Sequence, residues 1–287
     1  MIIISAMTAL INRIIDYSAV NGPGIRMVLV FQGCNFRCQY CHVPDTLGNC
    51  NGCGICSYYC SSGALKLDVP GIAPQWIEEY CTSCGACINA CRKDSSPKIK
   101  KMSIKDVLDY ISPRAGSIRG ITCSGGECTL YSEFMTELFP ILQHQKLSCL
   151  IETNGEADFE KYSELLDFCN GVMLDIKTAD PDKHRELTGR GNDQVFRSAE
   201  ILAQRKKLIE VRTLITAEDW EAEKTITKTA NLLRPYIKKN DITYRLIPFR
   251  VFGVRREFRN LGIPSREQME NLRNLALASG FTRVLIS

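Results

Sequence analysis

Apolar residues along this chain gather into short solid runs, and between the runs they recur at three- and four-residue steps. The runs at 27–31, 121–123, 147–151, 172–174, 208–215, 242–247 and 284–286 read as buried strands. Helical spacing carries the segments between them. Ser103 stands as an N-cap before Ile104, Val107, Leu108 and Ile111, and Phe134, Leu138, Ile141 and Leu142 mark the next helix. Further helices are expected over 159–168, 195–204, 218–233 and 265–279. Six strands, each followed by a loop and a helix, with a seventh strand closing the chain, predict an α/β fold whose parallel sheet curls into a partial barrel. On such sheets ligands gather at the carboxyl ends of the strands.

Unusual polar residues stand at those ends. Ser124-Gly125-Gly126-Glu127 follows the second strand, Glu152-Thr153-Asn154-Gly155 the third, and Asp175-Ile176-Lys177 the fourth. Arg212 is a charge within the apolar fifth strand and wants a partner. A structural ion pair and a clamp for a ligand carboxylate both fit it.

Length and charge narrow the classes. The chain has 287 residues, 45% of them hydrophobic, enough for one large α/β domain and a small second unit. A net charge of +4 is too mild to point to nucleic acid. The basic clusters at 205–207, 238–239 and 255–256 read as solvated faces, or as a docking face for an acidic electron donor. No apolar run reaches the roughly 18 residues of a membrane span. The apolar start, 1–7, lacks the basic flank of a secretion signal, and Met7 is an alternative start to Met1. Fifteen cysteines in a chain with no secretion signal imply a reducing cytoplasm, where clustered thiols mean metal.

The thiols fall into three groups. Cys34, Cys38 and Cys41 have the spacing Cys-x3-Cys-x2-Cys, with no fourth cysteine in the next few residues. Three thiolates on a four-iron cluster leave one iron open for a small molecule. Tyr40, before the third cysteine, suits a site that also holds a flat nucleobase. A structural zinc site is the competing reading, but zinc prefers four ligands in two Cys-x2-Cys halves. The runs Cys50-Cys53-Cys56-Cys60 and Cys81-Cys84-Cys87-Cys91 repeat one spacing and resemble a bacterial two-cluster ferredoxin. In that arrangement the fourth cysteine crosses over. The resemblance therefore implies Cys50, Cys53, Cys56 and Cys91 on one cluster, and Cys81, Cys84, Cys87 and Cys60 on the other. Ferredoxins usually have proline after the fourth cysteine, where this chain has Ser61 and Arg92. A pair of zinc knuckles is the rival. Loop-like edges bound the block at 48–97. Cys123, Cys128, Cys149 and Cys169 share no ligand spacing and read as buried thiols.

With these motifs the chain resembles the radical S-adenosylmethionine (SAM) superfamily. Asn21-Gly22-Pro23-Gly24-Ile25-Arg26, Phe31-Gln32-Gly33-Cys34 and Leu246-Ile247-Pro248-Phe249-Arg250 extend the likeness to glycyl radical enzyme activating enzymes. The cysteine block narrows it to activases with a ferredoxin-type insertion, best the YjjW-like branch. The resemblance implies a partial (βα)6 radical SAM barrel, 1–47 and 98–287, with a ferredoxin-like domain of two [4Fe-4S] clusters inserted at 48–97. It implies three [4Fe-4S] clusters in all, and SAM chelated through its amino and carboxylate groups on the open iron of the Cys34/Cys38/Cys41 cluster. Tyr40, Cys41, His42, Gly125, Gly126, Glu127, Asp175, Ile176, Lys177 and Arg212 would hold SAM, with a monovalent cation near Glu152, Thr153 and Asp175.

The implied reaction is reductive SAM cleavage, followed by removal of a hydrogen atom from a backbone glycine of a dedicated partner enzyme. Reduced flavodoxin or ferredoxin would supply the electron, in anaerobic cytoplasm. Two alternatives stay open. One is another radical SAM maturase, although such enzymes often carry auxiliary cysteines near the C-terminus and none follows Cys169 here. The other is a non-catalytic iron–sulfur electron carrier. The family usually has Asp at position 21 and often His at position 250; this chain has Asn21 and Arg250. Of its three histidines, His42 follows the third cysteine, and His144 and His184 are expected at the surface.

Overall fold

The computed structural model describes residues 7–218 and 220–287; most of the apolar start, 1–6, lies outside them. The solid run at 27–31 forms strand β2 (Arg26–Phe31), buried at every position. A strand with no solvent face needs cover on both sides, which is the condition of a parallel sheet wrapped by helices. Six more parallel strands continue from it: β6 (Gly120–Gly125), β7 (Ser148–Thr153), β8 (Gly171–Asp175), β9 (Leu208–Ile215), β10 (Thr243–Pro248) and β11 (Val284–Ile286). The run from β2 to β11 is unbroken, and its two ends do not pair, so the barrel is partial.

Two strands of the main sheet are not marked by the sequence pattern. β1 (Thr8–Ser18) lies antiparallel to β2, and β5 (Lys100–Ser103) lies antiparallel to β1. They extend the sheet to nine strands. Ser103 then caps α3 (Ile104–Ile111) as expected. The Asp106 N–H donates to Ser103 Oγ at 3.1 Å, and the Ser103 N–H returns to Asp106 Oδ2 at 2.8 Å. Helices α4 (Ser132–His144), α7 (Asp193–Gln204), α8 (Ala222–Leu233) and α10 (Arg266–Ala278) follow their strands near the expected positions. α5 (Ser163–Phe168) is shorter than the spacing implied, and α6 (Pro181–Thr188) was not foreseen. α9 (Ile237–Asn240) is a single turn before β10.

Residues 48–97 carry α1 (Ile55–Tyr58), a two-stranded ribbon of β3 (Leu65–Lys66) and β4 (Gln75–Trp76), and α2 (Ala86–Ala90). Their own core holds only Cys56, Leu65 and Cys87, with Cys60, Trp76 and Ile88 packed against it. So small a core cannot repay the ordering of about fifty residues without staples or metal. The segment is tied at its neck, where the Gly48 N–H donates to the Asp94 carbonyl at 2.9 Å.

Candidate functional site

The loop after β2 brings the three thiols together. Cys38 is buried, Cys34 and Cys41 half-buried. Burial pushes all three thiols up: Cys41 to about 12, with Cys38 adding to the effect, and Cys34 with help from buried Glu127. Three neighbouring thiols cannot ionise together in an apolar loop unless a cation joins them.

The loop is held from behind by a distant part of the chain. The Arg37 N–H donates to the Thr188 carbonyl at 2.8 Å and the Gln39 N–H to the Leu187 carbonyl at 2.9 Å. Arg255 Nη2 donates to the Cys38 carbonyl at 3.0 Å. Arg255 also pairs with Asp94, which Arg37 contacts as well. It is therefore a clamp on the thiol loop and not part of a solvated basic face. His184 is fully buried, contrary to its expected surface position, with its ring 5.4 Å from that of Phe36. The Nδ1–H of the neutral ring donates to the Arg190 carbonyl at 2.7 Å, and Nε2 has no partner among the described residues.

Burial holds His184 below the usual imidazole range, an effect the Arg190 carbonyl opposes and Lys177 reinforces. The unfolded chain therefore takes up a proton near pH 6.5 that the folded chain refuses. Stability is lost as pH falls below about 6.5. Thermal melts of the iron-free protein from pH 7.5 to 5.5 should show a falling midpoint, and His184→Gln should flatten that slope in part. An unchanged slope would put the pH dependence elsewhere, first of all on His42.

Across from the thiols lie the strand ends. Gly125 has φ +129°, and a Cβ on Gly126 would stand 2.1 Å from the Gly33 carbonyl oxygen, so this turn closes on the thiol loop only without side chains. Glu127 is 1% exposed. Its Oε1 accepts from Thr129 N, Thr129 Oγ1 and Thr153 Oγ1 at 3.1, 2.7 and 2.8 Å, and its Oε2 from Asn154 N at 2.8 Å. It ties the end of β6 to the end of β7. Asn154 then reaches the thiols, with Nδ2 3.8 Å from Cys34 Sγ and 2.8 Å from Asn35 Oδ1.

The charges beyond are paired. Lys177 Nζ donates to Asp175 Oδ2 at 2.7 Å and lies 5.8 Å from the centre of the Tyr40 ring. Burial alone would push Lys177 down, but Asp175 holds it well above its usual range. Arg212 Nη1 donates to Glu152 Oε1 at 2.7 Å, and its Nε pairs with Glu210, which Arg245 also holds at 2.8 Å. Asn21 Nδ2 reaches both oxygens of Glu152, at 2.9 and 3.1 Å. The ring of His42 stacks on that of Phe249 at 6.0 Å, and its Nε2 lies 3.0 Å from the Arg250 carbonyl.

Most of these groups line one open cavity at the strand ends. Cys34, Cys38, Cys41, Tyr40, His42, Gly125, Gly126, Glu127, Asp175, Lys177 and Arg212 all border it. Ile176 does not: strand alternation turns it into the core, where it is fully buried and its N–H donates to the Arg212 carbonyl at 2.9 Å. The Tyr40 hydroxyl is buried without a partner among the described residues. Leu214 and Ile247, not among the expected site residues, supply apolar wall.

In the cysteine block, Cys60, Cys81, Cys84 and Cys87 border a second cavity with Trp76 and Lys98, so the fourth thiol of the first run stands among the second. Burial pushes the Cys56 thiol up to about 11, with smaller contributions from Cys50 and Cys91, the last being the fourth thiol of the other run. Among the described residues, no three His, Cys, Asp or Glu side chains are grouped to hold a single metal ion. Cys123, Cys128, Cys149 and Cys169 are buried in the main core.

The family described as the radical SAM superfamily matches residues 28–228. The chain is 28% identical over 267 residues to a pyruvate formate-lyase-activating enzyme of Streptococcus mutans, covering 90% of this chain and 83% of the relative. It is 27% identical over 297 residues to a 4-hydroxyphenylacetate decarboxylase activating enzyme of Clostridium scatologenes, covering 93% and 94%. A putative glycyl-radical enzyme activating enzyme of Haemophilus influenzae is 26% identical over 297 residues, covering 96% and 95%. Among solved structures, QueE from Escherichia coli aligns over 98% of this chain and 95% of its own, with a TM-score of 0.54 and 15% identity, a likeness of fold.

Proposed function

The chain belongs to the radical SAM superfamily, and from that membership we propose that it is a glycyl radical enzyme activating enzyme. The observation that carries the proposal is the main cavity. It sets Cys34, Cys38 and Cys41 against Glu127, Asp175, Lys177 and Arg212 at the strand ends, and no other cysteine is among the described residues lining it. Three thiols with a raised need for a cation fit a cluster with one open iron, and the unpartnered Tyr40 hydroxyl fits a polar ligand beside it. When bound, such a cluster supplies the electron that splits SAM into methionine and a 5′-deoxyadenosyl radical able to take a glycine hydrogen. Lys177 and Arg212 would face the carboxylate end of SAM, and the Gly125-Gly126 turn would let its amino end approach the backbone. Glu127 and Asn154 would keep the two sides in register.

The cysteine block at 48–97 would hold two further [4Fe-4S] clusters, as in YjjW-like activases, and relay electrons from reduced flavodoxin or ferredoxin. The minute core of the block and its cavity of four thiols support this reading. The expected monovalent cation has less room: Asn21 and Arg212 hold Glu152, the Thr153 hydroxyl is committed to Glu127, and Lys177 holds Asp175. All fifteen cysteines are free, in keeping with a reducing compartment. No described helix is long and apolar enough to cross a membrane.

Protein reconstituted with iron and sulfide without oxygen, then given dithionite and SAM, should release 5′-deoxyadenosine and methionine. With its partner enzyme it should raise a glycyl EPR signal there. Fully loaded protein that releases no 5′-deoxyadenosine would sink the proposal. Cleavage of SAM with no glycyl signal on a genuine partner would favour a maturase.

A further inference from the structure

The two cysteine runs of the block share one spacing and would be read as equivalent. Their surroundings differ. Trp76, on β4, borders the cavity of Cys60, Cys81, Cys84 and Cys87, and its Nε1–H is buried with no oxygen or nitrogen acceptor among the described residues. Lys98 borders the same cavity, with its Nζ 5.5 Å from the centre of the Trp76 ring. Lys100 lies 5.3 Å from that ring and pairs with Glu78 at 2.9 Å, whereas Lys98 has no carboxylate partner among the described residues. The Lys98 ammonium and the Trp76 indole N–H both stand within hydrogen-bonding reach of the Cys81 thiol, as does the Ser83 backbone N–H. At Cys50, in the other run, the donor is the backbone N–H of Gly52 at 3.4 Å.

An indole N–H and an ammonium with no carboxylate partner among the described residues, both at the edge of one four-thiol cavity, are donors placed for sulfur. Hydrogen bonds and positive charge at cluster sulfurs stabilise the reduced, more negative state and raise the potential. We propose that Lys98 and Trp76 set the two inserted clusters apart, making the one on Cys60, Cys81, Cys84 and Cys87 the stronger electron acceptor. The inference rests on the two-cluster reading of the block given above. A donor that loses one electron to the block then leaves it on this cluster, which passes from its oxidised to its singly reduced state. Lys98 lies just past the block's expected edge at residue 97, two residues before β5, so the charge comes from the turn that leads into the main sheet.

The test is an EPR-monitored reductive titration with dithionite of the full, anaerobically reconstituted chain, with iron and sulfide counted for every variant. Two block couples at distinct potentials are expected, beside the one that responds to SAM. Lys98→Met, which keeps the length of the stem, should lower the higher couple alone, and Lys98→Arg should restore it. Trp76→Phe should lower the same couple by less. Cys84→Ser should alter that couple and spare the other. A fully loaded Lys98→Met protein with unmoved couples would overturn the inference. So would equal movement of both couples, or a Lys98→Arg protein that behaves like Lys98→Met. Wild-type protein that binds only about four irons per chain would instead overturn the two-cluster reading itself.

Discussion

Replacing Cys38 with serine should cut 5′-deoxyadenosine release below about 1% of the parent rate, because disturbing mere neighbours of metal ligands already costs about 10–100-fold. The thiol is the most buried of its trio, and its backbone carbonyl is gripped by Arg255. A serine oxygen fits that space but is a hard, poorly ionised ligand. With only two thiolates left, a cubane has two bare corners in a loop that burial keeps apolar. Iron should fall by about four atoms per chain, with the rest retained by the cysteine block. Iron analysis and chromatography of the reaction products check both halves. Cys38→Ser protein that keeps full iron and still cleaves SAM would remove the loop from the chemistry.

Arg212→Met should destabilise the fold by about 3 kcal/mol, the low end for breaking a buried ion pair. The methionine fills similar volume, so the cost is electrostatic: Glu152 and Glu210 each lose a partner within the barrel. The loss stays at the low end because Asn21 still holds Glu152 and Arg245 still holds Glu210. Urea melts of the iron-free protein read the effect, and Glu152→Gln in the same background should recover part of it. Burial alone would raise Glu210, but Arg245 and Arg212 hold it below the usual carboxylate range. Its contribution is therefore present above about pH 4.3 and fades as pH falls further. Arg212→Met should weaken that acid sensitivity. A midpoint unchanged by Arg212→Met would mean the carboxylates are hydrated after all.

What the sequence disclosed was governed by where burial is two-sided. β2 shows a solid apolar run because sheet and helices enclose it, and β9 was legible to the residue despite Glu210 and Arg212, which pair with each other inside the barrel. β1 was missed because Asn12, Arg13 and Asp16 interrupt it, as suits a strand with one partly solvated face. β5 is Lys-Lys-Met-Ser and has no apolar signature; pairing with β1 alone makes it a strand. The thiol spacings and the strand-end glycines were legible because chemistry confines them to fixed steps. The bracing was not. His184 and Arg255 lie far along the chain from the loop they support, and nothing local marks a histidine that packs on Phe36 or an arginine that binds a carbonyl. Glu210 did leave a trace, since two residues of separation on a strand put it on the face of Arg212.

Arg255 meets the Cys38 carbonyl across 217 residues of chain. During synthesis the cysteines therefore leave the ribosome long before their clamp exists, and contacts of such span form late. Iron met on the nascent chain would find a slack tether. The thiol loop therefore gains its full hold only once the carboxyl-terminal third has docked, and a chain cut short of Arg255 lacks the grip on the Cys38 carbonyl.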